Sequence, residues 1–281
     1  MSISNKAFLI SLSISQWTGR KKDKRATSDV ELKFKTKERV GQFTKKLLPT
    51  AKELDEISSV VNSARDYFNS QTLPWLSDGT RIVSSKNYLE LTQELRKRAQ
   101  DFDSAVSKFI SAYDLLRVNA QNSLGDLFNS ADYPSVNALK TSFSFKFVFL
   151  PAPDVNDFRS ELLESEKRDF IDKMREVESS AIRDCYARLK GVVENAAKKL
   201  SQPDAIFRDT LISNIAEICQ LLPKLNFADD PQLESMRKEV DLVVSKISPD
   251  TLRQSATARE NAAKQLDEIN ARMGALMGGQ S

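Results

Sequence analysis

Residues 142–150 read SFSFKFVFL, and residues 7–17 read AFLISLSISQW. Successive side chains of a strand point to opposite faces, so Phe143, Phe145, Phe147 and Phe149 share one side of the first stretch. Pro151 and Pro153 end it, because proline has no N–H to give a ladder. In the second stretch Phe8, Ile10, Leu12 and Ile14 alternate with Ser11, Ser13 and Ser15. Two isolated strands, each apolar on one side, are satisfied by pairing with each other and laying that side on helices. Four phenylalanines burying about 200 Å² each, at about 25 cal/mol per Å², set a gross upper bound near 20 kcal/mol. The phenylalanine face is therefore expected in the core, against the alternative of a platform for nucleic-acid bases. Val30, Leu32 and Phe34 alternate with Glu31, Lys33 and Lys35 and predict a short third strand, although the flanks suit a helix equally.

Outward from these strands the chain is helical. Pro49, Thr50 and Glu53 predict a capping box, and Leu54, Ile57, Val61, Ala64 and Phe68 then form one stripe. Leu73 to Gly79 is a loop by its Pro, Asp and Gly. A long helix over 86–122 carries Tyr88, Leu91, Leu95, Phe102, Val106, Phe109, Tyr113 and Leu116, with Glu94 four residues before Arg98 on its outside. Asp154 and Asp157 offer N-caps for a second long helix reaching Leu200, with a stripe running from Phe158 and Leu162 through Phe170, Met174, Val177, Ala181, Cys185, Leu189, Val193 and Ala196. Packed on each other, two such helices would make an elongated, partly coiled-coil body. Shorter helices follow at 204–222, 231–247 and 250–275. The last is sparsely apolar and is expected to dock weakly or to meet a partner; the tail from Gly278 to Ser281 is expected to be mobile.

The expectation is a mainly α fold with a small β element (α+β), in which an elongated bundle of amphipathic helices is capped by a two- or three-stranded sheet. A body over 1–203, a C-terminal helical region over 204–275 and a tail over 276–281 complete it. With 40% hydrophobic and 29% charged residues among 281, and only 8 Gly and 9 Pro, the composition suits helices around a real core. The two cysteines, Cys185 and Cys219, lie on apolar stripes and predict a reducing, cytoplasmic setting. Serines interrupt the apolar run after Lys6 and no small-residue cleavage site follows, so neither a signal peptide nor a membrane span is expected.

The chain contains no histidine, which removes zincin motifs and histidine-based triads. No Gly-Lys-Ser/Thr triplet and no dinucleotide fingerprint occurs. Asp101 with Asp103 diverge on a helix, Asp229 with Asp230 favour a helix start, and both cysteines suit a core. No catalytic, cofactor or metal residue is nominated. What stands out is charge: residues 20–46 hold eleven basic against four acidic side chains, a local +7 within a chain of net +3. Trp17, then Gly19, then Arg20, Lys21, Lys22, Lys24 and Arg25 form a candidate polyanion site, an aromatic beside clustered cations. A solvated basic loop and contact with an acidic protein are the other two readings.

Four segments carry a resemblance: ISLSISQWTGRKKDKRAT at 10–27, TLPWLSDGTRI at 72–82, DYPSVNALKTSFSFKFVFLPAPDVNDFR at 132–159 and FRDTLISNIAEICQLLPKLN at 207–226. Together they resemble a bacteriophage and plasmid family catalogued as a domain of unknown function, numbered thirty-one fifty, over about residues 7–247. The resemblance implies a product of a phage or mobile-element operon, found near a MoxR-type AAA+ ATPase and a von Willebrand A-type protein, with no catalytic residues to carry over. The functional expectation is a non-enzymatic interaction or assembly protein in the bacterial cytoplasm, self-associating, and an adaptor or substrate of such an ATPase. Its alternative is a single-strand binding or annealing factor using the segment 20–46.

Overall fold

The computed structural model describes residues 3–76, 79–154, 164–203 and 206–278. The strands are β1 (Ala7–Ser15), β2 (Arg20–Lys22), β3 (Thr44–Lys46), β4 (Leu73–Pro74), β5 (Thr80–Ser84) and β6 (Ser144–Pro151). The helices are α1 (Lys24–Phe34), α2 (Lys52–Gln71), α3 (Tyr88–Leu124), α4 (Val136–Lys140), α5 (Glu164–Leu200), α6 (Thr210–Leu225), α7 (Pro231–Val244), α8 (Pro249–Gln254) and α9 (Ala256–Gly278). The fold is mainly α with a small antiparallel β element. It divides into two compact units built from interleaved segments: Met1–Ser11, Asn69–Leu91 and Val148–Ser281 in one, Leu12–Phe68 and Thr92–Phe147 in the other.

The two strands read first from the sequence are neighbours in one sheet, of order β4-β5-β1-β6. That sheet has four strands, two more than the two long apolar runs account for. β5 inserts on the other side of β1, running antiparallel from Ala7 opposite Ser84 to Ser11 opposite Thr80. Its five residues, TRIVS, are too few to show a period. The four phenylalanines are half-buried and engaged internally. In the second unit Phe143 meets Phe109 at 5.8 Å between ring centroids and Phe145 meets Phe102 at 5.8 Å; in the first, Phe149 meets Tyr88 at 4.7 Å. Edge-to-face and tilted rings of this kind add to their area burial.

In the first unit α5 lays Val177, Ala181, Cys185, Leu189, Val193, Ala196 and Leu200 against α6, α7 and α9. The sequence pattern foresaw the two long helices side by side, but their stripes enter different cores: that of α5 joins α9, whereas Phe102, Phe109 and Tyr113 of α3 join Ile57, Val61 and Ala64 of α2 in the second unit. Nor does α9 dock weakly. Ala262, Ala263, Leu266, Ile269 and Met273 are all buried, as is Leu252 of α8, in the same core as Ala181, Ala196 and Ala197 of α5. At the C-terminus of α2, Arg81 and Arg188 both donate to the Asn69 and Thr72 carbonyls, and Arg188 also to Ser70, satisfying acceptors that the helix leaves open.

In the second unit Tyr133 donates its hydroxyl to the Leu47 carbonyl at 2.7 Å, and Tyr113 donates to Pro134 at 2.9 Å. The segment expected as a third strand is the C-terminal half of α1. Asp23 caps that helix by accepting from the Ala26 N–H, and Val30, Leu32 and Phe34 find no sheet to lie on. The expected capping box of Thr50 and Glu53 is replaced by a turn in which the Lys52 N–H donates to the Thr50 carbonyl. The proposed N-cap Asp157, the stripe residues Phe158 and Leu162, part of the 73–79 loop and the tail after Gly278 lie outside the described residues.

Candidate interaction surface

The basic segment is shaped by a glycine. Gly19 sits at φ +62, and a Cβ there would stand 2.9 Å from Leu54 Cδ1. The chain turns there into β2, which pairs antiparallel with β3: Arg20 opposite Lys46, Lys21 opposite Lys45, Lys22 opposite Thr44. This two-stranded ribbon eluded sequence reading because a run of lysines shows no apolar alternation. Directly opposed like charges destabilise a sheet, so the ribbon needs counter-charges.

Among the described residues they are found on one face only. Directly opposed residues share a face, which places Lys21 with Lys45 on one side and Arg20, Lys22 and Lys46 on the other. The Lys45 ammonium, 5% exposed, reaches Asp23 at 2.7 Å, Asp132 at 2.8 Å and the Leu127 carbonyl at 2.7 Å, using all three of its donors. Lys21 joins the same Asp132 at 2.7 Å. Burial pushes the Lys45 pKa down, but Asp132 and Asp23 outweigh it and the value is raised. The N–H of Ala26 and the Lys45 ammonium hold the Asp23 carboxyl below its ordinary range. For Asp132, burial works upward and is overcome by Lys21 and Lys45, leaving the value lowered.

The six nominated residues thus part company. Trp17 is half-buried, 6.0 Å from Phe109 and 6.1 Å from Tyr113, and serves the core rather than an exposed stacking platform. Lys21 is neutralised. Arg20, Lys22, Lys24 and Arg25 are exposed and, among the described residues, form no ion pair. Lys46, not nominated, joins Arg20 on the free face, and both line a small cleft of about 200 Å³ with Trp17, Gly19 and Leu54.

Beyond the ribbon the same segment carries an apolar groove. α1 ends at Lys35 in the left-handed region (φ 51), where the Thr36 N–H returns to the Glu31 carbonyl and the Lys35 N–H to Leu32, the Schellman arrangement. The chain then runs back along α1 until Phe43. There Phe43 accepts from the Asp23 N–H through its carbonyl and donates its own N–H to Thr27 Oγ1. Between helix and returning loop lies a cleft of about 420 Å³, lined by Val30, Phe34, Val40 and Phe43 among others. Leu32 is 73% exposed, Phe34 69% and Val40 73%. The sequence signal for this feature was present, large apolar side chains within a run of cations, but it was absorbed by the strand reading.

Among the described residues no cluster of acidic or cysteine ligands could hold a metal ion, and no helix is long and apolar enough to cross a membrane. Burial pushes the thiols of Cys185 and Cys219 up to about 12 and about 11. No family model, curated protein or solved structure matches the chain. The resemblance to the phage and plasmid family therefore stands on its quoted segments alone.

Proposed function

We propose that the chain is a non-enzymatic interaction protein whose docking surface is α1 with the loop 35–43. The observation that carries this reading is the group of exposed apolar side chains, Val30, Phe34, Val40 and Phe43, gathered around one groove. Scattered surface leucines are ordinary, but a contiguous apolar patch rimmed by charge marks a place where another molecule sits. The phage and plasmid resemblance supplies the partner class, an AAA+ ATPase or a von Willebrand A-type protein of the same operon, with self-association as the remaining route to covering the patch. A photo-crosslinking side chain placed at Phe34 is expected to capture one of these partners or a second copy, and the same probe at exposed Leu115 of α3 is not. Equal capture at both positions would remove the reading.

The free ribbon face favours a second function, contact with single-stranded nucleic acid through Arg20, Lys22, Lys24, Arg25 and Lys46. Neutralising five phosphates predicts a log-log salt slope of about −3.5. Replacing Arg20, Lys22 and Lys46 by glutamine should flatten it, whereas an isotherm that shows no binding at low salt disposes of the idea.

A further inference from the structure

We infer that the groove between α1 and the loop 36–43 receives an acidic, amphipathic segment of a partner protein, an assignment that rests on the docking surface just described and names its occupant.

The groove is built before any partner arrives. One wall is a helix, and the other is a loop held at both ends, by the Thr36 N–H on Glu31 and by the paired bonds among Asp23, Phe43 and Thr27. The Thr27 hydroxyl also donates to the Asp23 carbonyl at 2.6 Å, so the pin is tied into the first turn of α1. A preformed site spares the ordering cost of binding.

The rim selects the sign of the occupant. Lys33, Lys35, Lys37 and Arg39 are exposed and, among the described residues, have no ion-pair partner. Over the same stretch the carboxylates are Asp29, Glu31 and Glu38, and the neighbouring ribbon adds Arg20, Lys22 and Lys46. Glu31 lines the groove itself, so the pull on an acidic partner comes from its surroundings, seven exposed cations against three carboxylates. Inside the groove two acceptors, Glu31 Oε1 and Thr36 Oγ1, are shielded from solvent and lack any hydrogen-bond partner. Buried acceptors of this kind are normally satisfied, and the free N–H groups in the first turn of an incoming helix would do so.

Shape distinguishes a peptide from other anionic surfaces. An amphipathic helix that lies on a bilayer presents its apolar face outward, whereas here Val30, Phe34, Val40 and Phe43 line a concavity. Apolar anchors at helical spacing fill such a cleft, and carboxylates between them reach the cations of the rim.

Three fluorescein-labelled synthetic peptides provide the test. Each carries leucine or phenylalanine at i, i+3, i+4 and i+7, with Glu, Gln or Lys at every other position. In anisotropy titrations the Glu peptide should bind about tenfold more tightly than the Gln peptide, from four rim charge pairs, and the Lys peptide should not bind. Raising salt from about 50 to about 500 mM should close the gap between the Glu and Gln peptides. Phe34→Asp with Val40→Asp should abolish binding of the Glu and Gln peptides, with circular dichroism confirming an intact fold. Lys33→Glu, Lys35→Glu, Lys37→Glu and Arg39→Glu together should turn the preference to the Lys peptide. Equal binding of the Glu and Gln peptides, sensitive to Phe34, overturns the acidic occupant and leaves the docking surface standing. Absence of all peptide binding while the probe at Phe34 still captures a protein does the same. Phe34-dependent binding to phosphatidylserine vesicles without peptide binding overturns the assignment in favour of lipid.

Discussion

Lys45 and Lys21 oppose each other in the ribbon and share Asp132, yet their energetic weights differ. Lys45 is enclosed, with three acceptors and almost no water, whereas Lys21 is 48% exposed. Removing the enclosed cation leaves Asp23 without a counter-charge and Asp132 with Lys21 alone, so Lys45→Ala should lower stability by about 3 kcal/mol in urea denaturation. Lys21→Ala should cost under about 1 kcal/mol, because solvent screens that pair. Similar losses for the two variants would show that enclosure is not what sets the strength of this cluster. Cys185 and Cys219 allow a second check at this scale. With burial pushing the thiols to about 12 and about 11, neither should react with iodoacetamide at pH 8 in the native protein, and both should react in denaturant. Both cysteines were legible as core residues from their place on apolar stripes. The partners of Lys45 were not, since Asp132 lies far along the chain and charge pairing leaves no local periodicity.

Helices with broad apolar faces announced themselves, and those held by small residues did not. The α2 stripe Ile57, Val61, Ala64 and Phe68 is buried as its spacing predicts. By contrast α9 looked too polar to bury, because alanine adds little hydrophobic area, yet Ala262 and Ala263 are enclosed in the core that α9 shares with α5. Enlarging such a contact should be costly: Ala263→Leu is expected to destabilise by about 2 kcal/mol through overpacking, read as a shift of the urea midpoint. An unchanged midpoint would mean that the two helices have room between them. For α1 the opposite applies. Lys35 occupies a backbone region that favours glycine, so Lys35→Gly should strengthen the end of the helix by about 1 kcal/mol, visible as slower amide exchange over 30–36. Alternation misled the reading of this element, since Val30, Leu32 and Phe34 are apolar without being inward.

For the whole molecule, the perturbed carboxyls set the response to acid. Asp23 and Asp132 have folded values below the ordinary 3.8, so they bind protons less readily in the native chain than in the unfolded one. Their contribution is complete above about 4 and drains away as pH falls through the lower folded values. Lys45, raised from 10.5, runs the other way: its contribution is complete below that value and is lost as pH climbs through the folded one. In the first unit Asp229 is held at about 2 by Lys6 and Lys86, at 2.8 Å each. A pH series of urea midpoints should therefore be level through the neutral range and fall below about 4. Asp132→Asn should soften that fall, and a variant that retains the full slope would assign it to other carboxyls.

The interleaved division of the chain has a consequence for how the protein is made. Ile3, Ala7 and Leu9 share a hydrophobic core with Tyr186, Leu189 and Cys219, which are translated much later. The segments of the other unit have all been synthesised once residue 147 has been added. Synthesis thus supplies the Leu12–Phe68 and Thr92–Phe147 segments, and β5 to pair with Ala7–Ser11, before the helices of the first unit exist, and a nascent-chain chaperone that covers the open face of that strand until α9 appears would be of most use during that interval.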